Sequence, residues 1–204
     1  MIFAEIIDWS VALLPVLLMA VLFAWLDVFK LMSAWEMIGL LLLGALAALV
    51  AWPVAGRMLD TLPMGYSFYS RIVAPWIVEA LKGLALALLF VTNRIGFKID
   101  AIICGFAIGA GFSVIENILY LARFPELTTA VWLVRGLGTA VMHGAATAIL
   151  AATAHELGER AMRQQGGRIF NPLRMLPGYL AAGVLHMIFN QFPDYPMEVM
   201  IVTL

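Results

Sequence analysis

Charged residues and cysteines are scarce in this chain. Only 12% of its 204 residues are charged, and Cys104 is its single cysteine, whereas soluble domains average about 25% charged residues. One cysteine excludes a disulfide framework within the chain, and a net charge of −1 gives no basic surface for nucleic acid. Because 64% of the residues are hydrophobic, the sequence predicts an integral membrane protein.

The apolar runs also lack the alternating pattern of outer-membrane β-strands. Helices are the remaining way to satisfy backbone hydrogen bonds within lipid. We therefore predict an all-α, polytopic transmembrane helix bundle in a single domain, 1–204, with six to seven membrane helices. Six are expected at residues 10–26, 37–55, 72–91, 99–122, 127–153 and 178–192. The apolar end at 197–204 is too short to span, so it either lies along the interface or begins a seventh helix.

Charges inside the apolar runs are the most informative feature of the sequence. The run 72–90, IVAPWIVEALKGLALALLF, contains Glu79 and Lys82, and a charge at the centre of a membrane helix costs about 2.5 to 3.5 kcal/mol on insertion scales. Later runs are interrupted by five more polar residues: Glu116, Asn117, His143, His186 and Asn190. We expect the helices to bring these side chains together in one site.

The distribution of basic residues predicts the orientation. Basic residues are more numerous in the first, third and fifth loops than in the second and fourth. The first loop holds Lys30, the third holds Arg94 and Lys98, and the fifth holds Arg160, Arg163, Arg168 and Arg174. The second and fourth loops together hold only Arg57, Arg71, Arg123 and Arg135. The positive-inside rule therefore places the N-terminus outside and the hydrophilic loop 155–174 in the cytoplasm. With a rise of about 1.5 Å per residue, the polar side chains then fall in the outer half of the membrane. The aromatic connection 56–71 suits the outer interface or a substrate-facing lip.

These residue types favour metal-dependent hydrolysis. His186 and Asn190 are four residues apart and share one helix face, and imidazole and carboxylate groups are ligands for a divalent metal such as zinc. We predict that His143, His186 and Glu116 bind the metal and that Glu79, Glu116 and Asn190 are catalytic. Either glutamate fits the role of general base, and Lys82 is expected to pair with Glu79.

Each feature also has a structural interpretation. A lone membrane histidine more often forms a hydrogen bond between helices than binds metal, and Glu79 with Lys82 fits a structural ion pair. A transporter would also place such groups at mid-membrane, but no inverted repeat is apparent. Convergence of two carboxylates and two histidines at one depth favours a site over packing.

Four sequence blocks resemble the PrsW intramembrane proteases, within the CAAX-prenyl endopeptidase superfamily. They are APWIVEALKG at 74–83, GFAIGAGFSVIENILY at 105–120, AVMHGAATAIL at 140–150 and HMIFN at 186–190. The resemblance implies a polytopic metalloprotease-like fold in the inner (plasma) membrane, with its core at about 72–192. It also implies cleavage of a membrane-anchored protein, such as an anti-sigma factor, on the extracytoplasmic side. Asn117 and Tyr120 belong to the second block and are expected to support the site.

One position departs from the family pattern. On the third helix the family has two glutamates followed by two residues and a lysine, and here Val78 stands at the first glutamate while Glu79 keeps the second. The alternative to an active peptidase is therefore a catalytically impaired membrane binding protein of the same fold. Its partners would be the same: the lipid bilayer and a membrane-anchored protein.

Overall fold

A computed structural model describes residues 2–26, 32–124, 127–165 and 170–191, and they form a helical bundle. The helices are α1 (Ile2–Leu26), α2 (Ala34–Thr61), α3 (Tyr66–Phe68), α4 (Ala74–Val91), α5 (Lys98–Arg123), α6 (Thr129–Gln165) and α7 (Pro172–Phe189). A π-helical turn, Tyr69–Val73, joins α3 to α4, so Tyr66–Val91 is one continuous helical segment. Six long helical segments are therefore present in these ranges, as predicted.

Polar residues fix where three of the helices begin. The Ser33 amide donates to Glu36 Oε2 at 2.8 Å and the Glu36 amide donates to Ser33 Oγ at 3.2 Å, which is a capping box at the start of α2. At α5, Asp100 Oδ2 accepts from the Phe97 amide at 2.8 Å. Asn171 Oδ1 accepts from the Leu173 amide at 2.9 Å at the start of α7. These bonds satisfy amide groups that the first helical turn leaves free.

The length and composition of the helices confirm a helical membrane bundle. Four segments are long and apolar enough to cross a membrane: Ala34–Thr61, Tyr66–Val91, Lys98–Arg123 and Thr129–Gln164. In α1 the described apolar section is shorter, Ile6–Met19. Crossings beyond these four stay a prediction, and the expected seventh segment at 197–204 lies outside the described residues.

Helix α5 occupies the centre of the bundle, where it packs against α1, α2 and α6. Two glycines allow this close approach. A Cβ atom at Gly109 would collide with the carbonyl group of His143 on α6, and a Cβ at Gly111 would collide with the backbone of Leu41 on α2. Small residues let membrane helices pack backbone against backbone, so α5 brings α6 and its histidine close to the bundle axis.

The predicted hydrophilic loop 155–174 is wrong over its first half, because α6 continues to Gln165. Ion pairs one helical turn apart support this charged end: Arg160 with Glu156 at 2.8 Å and Arg163 with Glu159 at 3.2 Å. Helix α6 has 37 residues and is about 55 Å long, well beyond the ~30 Å of a hydrocarbon core. The drop in hydrophobicity therefore marks the membrane surface and not the helix end. Lys30 and Arg168 lie outside the described residues.

The predicted connection 56–71 is also largely helical. Helix α2 ends at Thr61 and α3 begins at Tyr66, so only 62–65 form the turn. The Tyr69 hydroxyl donates to the Ala55 carbonyl at 2.6 Å, which fastens the π-helical turn to the end of α2. Such turns occur often at functional sites.

Candidate functional site

Helix α4 places a buried ion pair at the centre of the bundle. Lys82 Nζ lies 2.7 Å from Glu79 Oε1, and both side chains are fully buried. The spacing of three residues puts both on one helix face. Glu79 Oε2 is buried with no hydrogen-bond partner, so half of this carboxylate remains available to a further donor or a cation.

His143 on α6 links Glu116 to the Glu79 and Lys82 ion pair through Lys82. Its Nδ1 lies 3.1 Å from Lys82 Nζ and its Nε2 lies 3.1 Å from Glu116 Oε2. An ammonium group only donates and a carboxylate only accepts. These partners therefore assign the neutral tautomer, with the proton on Nε2 and a lone pair on Nδ1.

His186 on α7 completes a group with the donor atoms of a metal site. Its Nδ1 lies 2.8 Å from Glu79 Oε1, and its ring meets that of His143 edge to face at 4.8 Å. One ligand atom each from Glu79, His143 and His186 lies within 4.8 Å of the others, and all three residues are buried. This group could hold a metal ion, and the unpartnered Glu79 Oε2 is consistent with one.

Glu116 on α5 is held by a residue that the sequence analysis used only to predict the orientation. Arg135 belongs to α6, and its Nη2 lies 3.5 Å from Glu116 Oε2. A sequence signal existed: Arg135, Thr139, His143 and Thr147 recur every four residues and so share one helix face. We call Glu79, Lys82, Glu116, Arg135, His143 and His186 the charged cluster.

Other predicted site residues make contacts beside the charged cluster. Asn190 Nδ2 donates to the Ser70 carbonyl in the π-helical turn at 3.0 Å. Asn117 Nδ2 donates to the Ala12 carbonyl on α1 at 3.1 Å. Tyr120 lies beneath Arg135, whose guanidinium carbon is 3.9 Å from the ring centroid. Asn190 and Asn117 thus join helices, while Tyr120 supports the partner of Glu116.

A second polar group aligns α5 with α6 next to Glu116. Ser113 Oγ and Thr139 Oγ1 lie 2.8 Å apart, and Asn117 Nδ2 lies 3.1 Å from the same threonine oxygen. All three side chains are buried. Because Ser113 and Asn117 flank Glu116 on α5, this network fixes the rotation of the helix that presents the carboxylate.

A cleft of about 440 Å³ opens between α2, the π-helical turn, α4 and α5. Val78, Phe112 and Glu116 line one part of it, and Tyr66, Arg123 and Phe124 line another. Trp52 on α2 meets Tyr120 on α5 edge to face within this lining, with ring centroids 6.0 Å apart. We call this cleft the α2–α5 cleft. Glu116 belongs both to its lining and to the charged cluster.

The model for PrsW family intramembrane metalloproteases matches residues 32–204. The chain belongs to the PrsW family. Membership supports an intramembrane metalloprotease in general and extends the resemblance seen at 72–190 toward the N-terminus. Comparison with curated proteins and with solved structures gave no match.

The position where this PrsW member departs from the family pattern lies in the wall of the cleft. Val78 packs with Phe112 and with Ala47, Ala48 and Ala51 of α2. It also lines the α2–α5 cleft. Val78 is one helical turn before Lys82 and shares a helix face with it, and both side chains contact Phe112. A valine there therefore makes the wall apolar directly beside the buried ion pair.

Proposed function

We propose that this PrsW protein hydrolyses a peptide bond of a membrane-anchored protein near the extracytoplasmic side of the plasma membrane. An anti-sigma factor is the substrate that the family resemblance suggests. The observation that carries the proposal is the buried group of Glu79, His143 and His186 beside a cleft that reaches Glu116.

The donor set fits a divalent metal, and zinc best. Two histidines and one carboxylate are a common ligand set of catalytic zinc, which keeps an open position for water. Glu79, His143 and His186 would hold the ion, with His143 offering Nδ1 in place of its present contact with Lys82 Nζ. Glu116 accepts the Nε2 proton of His143, as carboxylates do beside metal-binding histidines. A bound metal supplies an acidic water at neutral pH. Lys82 offsets the charge of Glu79 within the bundle.

Glu116 is the better placed general base of the two glutamates. Glu79 is fully buried and bonded to Lys82 and His186, whereas the Glu116 side chain keeps 19% exposure and lines the α2–α5 cleft. His143 and Arg135 both contact Glu116 Oε2, so Oε1 remains to take a proton. Glu116 would take the proton of the attacking water and give it to the departing amine nitrogen.

The test is cleavage by the purified chain in liposomes containing a single-pass membrane-anchored substrate. We expect cleavage near the outer end of the substrate helix, about one bound metal ion per chain, and loss of both in His186→Ala. Elemental analysis measures the metal beside a gel assay of the product. Undiminished cleavage by a metal-free His186→Ala variant would contradict the proposal.

A non-catalytic binding protein of the same fold is the second candidate, and Val78 is the observation that favours it. A valine can neither bind metal nor move a proton. Binding of a single-pass partner without cleavage by the wild-type chain, together with cleavage by Val78→Glu, would identify this alternative. Cleavage by the wild-type chain excludes it.

A further inference from the structure

Two oppositely charged side chains line the α2–α5 cleft at a fixed separation. Glu116 and Arg123 are seven residues apart on α5, which separates them by about 10 Å along the helix axis. A substrate segment that lies along the cleft can therefore contact both side chains.

The same distance sets how many residues the cleft holds. An extended chain advances about 3.3 Å per residue, so about three residues separate a bond beside Glu116 from a side chain at Arg123. The walls between them are apolar and aromatic and include Leu119, Tyr120 and Trp52, which contacts Tyr120. Side chains of the segment would pack against these walls while its ends meet two groups of opposite charge.

Arg123 offers an unmatched positive charge in this lining. It is exposed, and none of the ion pairs found among the described residues includes it. Glu116 is already balanced by Arg135 at 3.5 Å. The complementary partner for Arg123 is therefore an acidic group brought in by the occupant of the cleft.

We propose that the α2–α5 cleft binds the substrate as an extended segment and that Arg123 selects an acidic side chain about three residues from the cleaved bond. This inference rests on the proposed peptidase function. It assigns Arg123 as a specificity-determining residue, separate from the groups of the charged cluster.

The experiment uses the full chain in phosphatidylcholine liposomes and single-pass substrates in which an aspartate is moved through four positions on each side of the cleaved bond. We expect one position, about three residues away, to raise kcat/KM roughly five-fold over lysine at the same position, as for one partly exposed ion pair. Arg123→Glu should reverse this preference. Arg57→Glu is the matched control, because Arg57 lies near the same end of the bundle on α2 but does not line the cleft.

Binding measurements separate failure of this inference from failure of the proposed function. Fluorescence anisotropy of the labelled substrates reports the same charge preference without cleavage. Aspartate-dependent binding with no cleavage would contradict the proposed peptidase function but not the role of Arg123. Cleavage without a charge preference, or without reversal in Arg123→Glu, overturns the role of Arg123. An effect of Arg123→Glu that appears only with added phosphatidylglycerol would assign Arg123 to lipid headgroups and also overturn it.

Discussion

At the scale of single residues, the two glutamates of the charged cluster differ in what surrounds them. We expect Glu116→Gln to lower cleavage by about 10²- to 10⁴-fold, the usual effect of a general base, while metal content stays unchanged. Glu79→Gln should lose metal and activity together. Elemental analysis and a cleavage assay on both variants check this. Full activity in Glu116→Gln would indicate that Glu79, and not Glu116, is the general base.

The same two variants should differ in stability. Glu79→Gln leaves the fully buried Lys82 without its countercharge, and breaking a buried pair in this way costs about 3 to 5 kcal/mol. Arg135 keeps 21% exposure, so Glu116→Gln leaves a partly hydrated charge and costs less. Thermal unfolding in detergent should give the lower Tm for Glu79→Gln. The reverse order would contradict the burial argument.

Asn190 was predicted to be catalytic, and its hydrogen bond to the Ser70 carbonyl suggests a positioning role. We expect Asn190→Ala to lower stability by about 0.5 to 1.5 kcal/mol, because the partly buried carbonyl loses its donor, and to lower activity with it. Asn190→Gln is the comparison variant, because it keeps the amide group on a side chain that is one methylene longer. A loss of activity at unchanged Tm would instead indicate that Asn190 acts on the substrate.

The sequence could predict five of the six residues of the charged cluster but not every role. Charge in an apolar run was sufficient to find Glu79, Lys82, Glu116, His143 and His186. Spacing within one helix could not show that His186 reaches Glu79 on α4, because that contact depends on how α4 and α7 pack. Arg135 was missed because it was counted only for orientation, although it lies within the predicted helix 127–153 and shares a helix face with His143.

At the scale of helices, the contact of α5 with α6 should be sensitive to a single methyl group. Gly109→Ala places a Cβ against the His143 carbonyl, whereas Gly39 has nothing within 4 Å of an added Cβ. We expect Gly109→Ala to cost about 1 to 3 kcal/mol, and Gly39→Ala to be neutral or to stabilise by up to about 1 kcal/mol. Thermal unfolding of both variants measures the difference. Equal Tm values would mean that α5 and α6 have room to separate.

Helix positions were predicted well and helix ends poorly. Apolar runs located all six long helices, because hydrophobicity reports which residues face lipid or the core. It does not report where backbone hydrogen bonding stops. Helix α6 therefore continues beyond the apolar segment, where ion pairs such as Arg160 with Glu156 support it. Helix α2 continues to Thr61 through residues that were predicted to form a loop.

At the scale of the whole molecule, the orientation in the membrane can be tested with single cysteines. Cys104 is buried, and a Cys104→Ala background provides a chain without thiols. The positive-inside rule predicts that Ser67→Cys reacts with an impermeant reagent in intact cells and that Gln164→Cys reacts only after the membrane is opened. Both positions are exposed. If only Gln164→Cys were labelled in intact cells, the orientation would be the reverse of the predicted one, and the α2–α5 cleft would lie on the cytoplasmic side.

The ion pair within α4 also bears on how the chain is made. Glu79 and Lys82 are one turn apart on the same helix, so they can neutralise each other as soon as this segment coils during synthesis. The nascent helix then enters the lipid with no net charge, before α6 and α7 have been translated. His143 and His186 are synthesised later, so they pack against a Glu79 carboxylate that is already in the membrane. Membrane insertion and the proposed metal site thus share Glu79, and we expect a change at Lys82 to act first on membrane insertion.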